Sequence, residues 1–263
     1  MARLALSLCA LLGAATAYQF AVDISQSGSD SQFSCLYQNG YSTVFVRAYA
    51  PTGSGTVDYN CANSIKSAYK YRLGTEAFIT PQPSGSKSAF TQVDETVAAL
   101  RNAGISLRSL WLQVTSPVNW PSNQAANVNF ISQALSRIAS YGISPGVYTN
   151  SYDWNQITNN AYSLGVATPM LWYWNVYSSG AGGETPANFN DFRAFGPFQQ
   201  AAVKQYGQAE NVCSFAANRD VYGSASALST AATVSGIALP VKRTDAAIPR
   251  ALPAEIVVGG IGL

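Results

Sequence analysis

The chain has 263 residues, 11% of them charged and 12% aromatic, with a formal net charge of +2 and no histidine. The lack of histidine excludes Ser-His-Asp and Cys-His nucleophiles and histidine-held zinc or haem, so any acid–base chemistry falls to carboxylates, Tyr or Lys. The near-neutral charge offers no basic footprint for nucleic acid, and nothing implies a metal or cofactor.

Met1 to Ala17 carries one early positive charge, Arg3, then an apolar run from Leu4 to Leu12 and small residues ending Ala15-Thr16-Ala17. That is the layout of a secretory signal peptide cleaved before Tyr18, with an apolar run too short to span a bilayer. The expected location is outside the cell or within the endolysosomal and secretory pathway, with no membrane association. Cys9 leaves with the leader, and Cys35, Cys61 and Cys213 remain. In an oxidising compartment three cysteines imply one disulfide, with one thiol free or left for an intermolecular bond. No Asn-x-Ser/Thr sequon occurs.

Short apolar runs then alternate with helical patterns. Strands are predicted at Phe20–Ile24, Val44–Tyr49, Thr75–Thr80, Leu110–Thr115, Ser144–Thr149, Met170–Val176 and Val203–Tyr206, most of them ending in polar or turn residues. Between them, Asn60–Tyr71, Thr91–Asn102 and Asn127–Tyr141 place their apolar residues on one helical face, and Gly104 and Gly142 end the last two. This alternation argues for an α/β fold with a parallel sheet covered by helices. Seven or eight strands in about 205 residues predict a (β/α)-barrel of TIM-barrel type, irregular in its later units. The barrel domain is assigned to 18–222. Residues 223–263, rich in Ala, Ser and Thr and then in scattered charges and prolines, read as a poorly ordered, dispensable tail.

Function in such barrels sits at the C-terminal strand ends. That directs attention to Asp23, Tyr49, Thr80, Thr115, Tyr148 to Asp153, Tyr173 to Tyr177 and Gln205-Tyr206. A neutral surface rich in Tyr, Trp and Asn suits a carbohydrate ligand, whose faces stack on rings and whose hydroxyls bond amides.

The stretches "FAVDISQ", "FSCLYQNGY", "FVRAY", "TEAFITPQP", "GVYTNSYDWNQIT", "PMLWYWNVY" and "FGPFQQAAVKQYGQ…NRDVYG" resemble, in order and spacing, the glycoside hydrolase family 25 lysozymes, in particular the protist-type branch. The resemblance covers Gln19 to about Tyr222. It implies an irregular, flattened (β/α)-type barrel and muramidase action on the N-acetylmuramic acid/N-acetylglucosamine glycan of bacterial peptidoglycan, in digestion or defence. A monomer is expected. Asp23 matches the family's acid at the end of the first strand, and Asp220 matches its late aspartate. Tyr148, Trp154, Trp172, Tyr177, Gln205 and Tyr206 match cleft positions. On the fourth strand the family reads Asp-x-Glu, where the glutamate is the general acid. This chain reads Gln113-Val114-Thr115. Among related chains, a further cysteine often stands where Ala48 sits, which favours Cys35–Cys213 as the disulfide.

Glycoside cleavage needs a protonated carboxyl near the leaving oxygen and a second group to stabilise the oxocarbenium ion. An amide and an alcohol at 113 and 115 supply neither. Asp23 is the best-placed acid. Glu76 shares a strand face with Phe78 and Thr80 but lies roughly 13 Å below the rim at about 3.3 Å per residue, which favours a buried structural acid. Asp153 reads either as a site residue or as a helix N-cap. Tyr49 belongs to the candidate binding set as a strand-end residue, and Trp120, after the Pro117 turn, is expected at the rim, stacking on sugar.

Overall fold

The computed structural model describes residues 18–223 and 240–263. In chain order the elements are β1 (Gln19–Ile24), α1 (Asp30–Gln38), β2 (Thr43–Ala50), β3 (Thr56–Val57), α2 (Cys61–Lys70), β4 (Gly74–Ile79), α3 (Ala89–Asn102), β5 (Ile105–Leu107), β6 (Ser109–Gln113), α4 (Gln124–Ser140), β7 (Ser144–Thr149), α5 (Ser151–Thr158), β8 (Met170–Trp174), β9 (Val203–Val212), β10 (Phe215–Tyr222) and β11 (Ile256–Val258). The order β1-β10-β9-β8-β7-β6-β4-β2 closes on itself through β1–β2 pairing, giving an eight-stranded barrel. Seven strands run parallel, and β10 lies antiparallel to both neighbours. The barrel is therefore irregular in its last unit, where a hairpin replaces a helical crossover.

Local sequence explains most of the helix starts. Ser29 and Gln32 form a reciprocal capping box at α1. Ser88, Asn123 and Asn150 each accept a backbone N–H at the start of α3, α4 and α5. The cap of α5 is thus Asn150, and Asp153 sits inside the first turn with its carboxylate free for other work.

Alternation along the strands divides the apolar side chains into two cores. The outer core packs the barrel wall against the helices. The inner core fills the barrel with Ala21, Phe45, Phe78, Trp111, Tyr148 and Trp172. Trp172 lies at its centre, stacked on Tyr148 at 4.1 Å and tilted against Phe45 at 4.5 Å. Gly146 is required by this packing, because a Cβ there would lie 2.2 Å from the Trp111 ring.

The β9–β10 hairpin turns on Cys213 and Ser214, both in the left-handed region with φ of 52° and 63°. Two such residues make the tight turn that matches strand twist. Neither is glycine, and two tethers hold them: the Cys35–Cys213 disulfide to α1 and a bond from Gln32 Nε2 to Ser214 O. Cys61 is the free, buried cysteine.

Residues 240–263 depart from the expected poorly ordered tail. They run back beneath the helices and across the base of the barrel. Arg243 donates to the carbonyls of Tyr37 and Tyr41, and Arg250 stacks on Tyr69. β11 pairs in parallel with β5, burying Ile256 and Val258. Gly259 N–H then bonds Thr75 O, and Ile261 N–H bonds Glu76 Oε1 at 2.9 Å. This segment docks by backbone pairing and a few anchors, which a composition argument does not register. The predicted leader and residues 224–239 lie outside the described residues.

Candidate functional site

The site is built on the inner wall at the C-terminal ends of the parallel strands. Strand register carries one continuous ladder around it. Asp23 pairs with Asn218, Asp220 with Gln205, Gln205 with Trp174, Trp172 with Tyr148, and Tyr148 with Gln113. The period of two then turns these side chains to the same face.

Two acids sit together in this ladder. Asp23 is 6% exposed and accepts bonds from Gln205 Nε2 at 2.6 Å and Asn218 Nδ2 at 2.9 Å. Burial pushes its carboxyl up to about 6, against the pull of these donors. Asp220 is fully buried, and its Oδ1 accepts from Trp172 Nε1 at 2.9 Å. Its Oδ2 meets no N–H or O–H donor and faces the carboxyl of Asp23. A proton on either carboxyl would satisfy both. Burial, and then the charge of Asp23, push Asp220 well above the ordinary carboxylate range. Gln205 is oriented by two donors on its Oε1, Tyr148 OH at 2.9 Å and Gln208 Nε2 at 2.5 Å, which turns its amide N–H toward Asp23.

One sector further round, the wall carries no acid at 113 or 115. Thr80 Oγ1 donates to Gln113 Oε1 at 2.6 Å, and Gln113 Nε2 donates to Thr115 Oγ1 at 2.9 Å. This relay faces a cavity of about 390 Å³ bounded also by Pro51, Gln82 and Trp120. Asp153 stands behind it, buried, accepting from Trp174 Nε1 at 3.0 Å and from the backbone N–H of Ser116. Burial raises its carboxyl despite both bonds.

Of the residues singled out from sequence, the barrel brings together Asp23, Gln113, Thr115, Tyr148, Trp172, Gln205 and Asp220. Trp172 serves as the buried floor, with no face open to solvent. Tyr49 and Tyr206 point outward into the helix-packed core, where Tyr49 OH donates to Glu95 at 2.9 Å and Tyr206 packs on Phe20. For Tyr206 the alternation explains this, since adjacent Gln205 faces in; at Tyr49 the β2–β4 register shifts between Arg47 and Tyr49, and Ala48 and Tyr49 both pack in the outer core. Trp154 is likewise buried in the outer core, packed on Phe198 with its Nε1 donating to Ala161 O at 3.1 Å. Trp120 is buried rather than at an open rim. Its ring packs on Phe130 and its Nε1 holds Thr115 O at 3.1 Å, leaving one edge on the cavity. Tyr177 is 78% exposed on the loop after β8. Glu76 lies at the opposite, closed end, fixed by Ser109 Oγ, Trp111 Nε1 and the backbone of Ile261. It is the structural acid that its depth implied.

Asn218 and Gln208 were not foreseen. Asn218 precedes Asp220 by two, so reading Phe215–Tyr222 as a strand would have placed both on the inner face. Among the described residues no group of three or more Cys, Asp or Glu side chains converges to hold a metal ion.

Residues 14–206 match a family model described as lysozyme-like protein 1. The chain is 50% identical over 202 residues to Lysozyme-like protein 2 of Caenorhabditis elegans, across 77% of this chain and 72% of that one. It is 31% identical over 220 residues to a probable GH family 25 lysozyme, number 4, of Dictyostelium discoideum, across 80% and 92% of the two chains. In three dimensions it is similar to a bacterial lysozyme from Streptomyces coelicolor, with a TM-score of 0.62 at 19% identity over 81% of this chain and 96% of that one. At that identity the likeness concerns the fold alone.

Proposed function

The chain belongs to the lysozyme-like proteins of glycoside hydrolase family 25 type, and from that premise we propose that it binds the glycan of bacterial peptidoglycan at the barrel mouth and hydrolyses it far more slowly than a lysozyme with a full set of acids. One observation carries this reading. Where a general acid would stand, the wall offers the Thr80–Gln113–Thr115 relay, whose amide and alcohols cannot deliver a proton to a leaving oxygen. Loss of one general acid costs about 10²–10⁴ in rate. The adjoining wall of Asp23, Gln205, Asn218 and Tyr148 adds a hydrogen-bonded set of polar side chains of the kind that suits a sugar ligand.

That slow turnover falls to Asp23. It is favoured by the carboxyl pair, because Asp23 raised to about 6 carries a proton in mildly acidic surroundings. Export from the cytoplasm rests on the leader-like segment Met1 to Ala17, and the Cys35–Cys213 bond fits an oxidising compartment. A role in defence against or digestion of bacteria follows from that location and that ligand.

The test is co-sedimentation with insoluble peptidoglycan together with release of labelled muropeptides between pH 4 and pH 7. Binding with release well below that of an ordinary lysozyme is expected. Release at ordinary lysozyme rates would overturn the proposal, and failure to sediment would remove its binding half.

A further inference from the structure

We infer that Glu184, Glu210 and Arg219 form a proton-operated latch, which holds segment 175–185 against β9 at the barrel mouth in acid and frees it near neutrality. The latch stands apart from the catalytic wall. Tyr206 points away from the barrel interior, and Arg219 stacks over its ring at 5.1 Å, which places the three charged groups on the outer face of the β9–β10 hairpin.

The segment leaves the C-terminal end of β8 and returns with its ends tied, since Thr185 Oγ1 donates to Asn175 O at 2.7 Å. Three backbone N–H groups seat it on β9. Asn175 donates to Gln205 O at 3.0 Å, Gly180 to Gln208 O at 2.7 Å and Thr185 to Tyr206 O at 3.0 Å. These are the residues of β9 whose amide side chains lead to Asp23, so movement of the segment bears directly on the site. Tyr177, 78% exposed, rides on the same segment.

Glu184 is the segment's one charged residue, and it pairs with Arg219. Glu210 Oε2 lies 3.8 Å from the same guanidinium nitrogen, so one cation faces two carboxyls. Gly207 lets them lie close to the strand, because a Cβ there would overlap Glu210 Oε1 and stand 3.2 Å from Glu184 Cγ. Arg219 is the ladder partner of Gly207, at a shift in the β9–β10 register. Among the described residues four buried side-chain polar atoms lack a hydrogen-bond partner, and three of them are here: Tyr206 OH, Glu210 Oε1 and Arg219 Nε. A proton on Glu210 turns that carboxyl into a donor to Glu184 and leaves one negative charge against one guanidinium. Its loss leaves two carboxylates on one cation, with little water to screen them. Glu210 and Arg219 belong to one hairpin, held by its ladder and by the Cys35–Cys213 bond. Glu184 sits on a segment tied by a few bonds, so it is the group that leaves.

Burial, and then the Glu184 carboxyl, push Glu210 up to about 7. A glutamate released into water titrates at about 4.3. Between these values the closed state binds more protons than the open one, so closure is fully favoured below that window and weakens as pH rises through it. The other ionisable groups facing the pair are Tyr41, just before β2, and Tyr206. Burial pushes both upward, so they stay neutral throughout. Asp220, next to Arg219, faces the other way, toward Asp23.

The test is hydrogen exchange of the full chain at pH 5.5 and pH 8, expressed as protection factors so that the intrinsic pH dependence drops out. The Gly180 and Thr185 amides should lose at least about tenfold more protection across that range than the Val147 amide of β7. Glu210→Gln carries a permanent donor and no charge, so the extra loss should vanish. Glu184→Ala should leave both amides weakly protected at both pH values. Equal losses in the segment and in β7 of the parent would overturn the latch, as would an undiminished extra loss in Glu210→Gln. If Glu210→Gln melts below the parent, Glu184→Ala decides: a segment as well protected at pH 5.5 as in the parent defeats the proposal. No ligand is present, so the outcome is independent of sedimentation with peptidoglycan.

Discussion

Asp220 Oδ2 faces the carboxyl of Asp23 inside the barrel, with no N–H or O–H donor between them. The pair explains how two buried carboxyls coexist without a cation. Burial lifts both above their unfolded values, so between about pH 4 and the folded values the folded state binds more protons than the unfolded. Stability then falls as pH rises through that window, which extends to about 6 for Asp23. Asp220→Asn keeps the acceptor for Trp172 and gives Asp23 a permanent donor. It should stabilise the protein by about 1–3 kcal/mol at pH 7.5 and by progressively less toward pH 4. Thermal melts across that range check it, and a variant less stable than the parent at pH 7.5 would refute the shared proton.

The cysteines give a second prediction. Cys35 and Cys213 lie 178 residues apart in sequence, and the bond ties the β9–β10 turn to α1. Replacing both by Ser should cost about 2–5 kcal/mol in chemical denaturation. Cys61 is 2% exposed, and burial pushes its thiol well above the usual range. In a chain beginning at Tyr18, a thiol reagent should therefore label nothing in the native protein and one residue after unfolding. Rapid native labelling would contradict this burial.

The parallel strands were legible because each is a short apolar run stopped by a turn. β10 was not, because its inward positions carry Asn218 and Asp220, so the strand lacks the apolar signature of a buried one. The polar residues that hide it are those that complete the site. The misassigned aromatics have a different cause. Tyr206 faces out because its neighbour Gln205 faces in, and Tyr49 faces out because the β2–β4 register shifts after Arg47, an irregularity that strand periodicity does not announce. The 240–263 segment shows the limit of local pattern most clearly. Its fixed course depends on β5 and Glu76, both far away in sequence.

That segment supplies a third prediction. Deletion of residues 251–263 removes buried Ile256 and Val258 and leaves Glu76 without the Ile261 N–H. At about 1.5–3 kcal/mol for each large apolar side chain buried, the loss should be about 3–5 kcal/mol. Urea denaturation would register it as a lower midpoint. An unchanged midpoint would mean that this strand adds nothing to the barrel.

The last prediction places carboxyls at positions 113 and 115. Gln113 Nε2 lies 2.9 Å from Thr115 Oγ1, so the two side chains meet at the cavity wall even though Thr115 is just beyond the end of β6. In the double variant Gln113→Asp with Thr115→Glu, two carboxyls replace the relay on the barrel wall that also carries Asp23 and Asp220. Like charges crowded at one wall raise the pKa of at least one of them, which keeps a proton available for the leaving oxygen. Muropeptide release should rise by about 10²-fold or more over the parent chain, with an acidic optimum. Adding Asp23→Asn to the double variant should abolish that gain, because Asp23, at 6% exposed against 0% for Asp220, is the more accessible carboxyl of the pair. The single changes should each give little, since one carboxyl must donate while another stabilises developing charge. A folded double variant that sediments with peptidoglycan yet releases no more than the parent would show that the Gln113 and Thr115 substitutions are not what limits turnover.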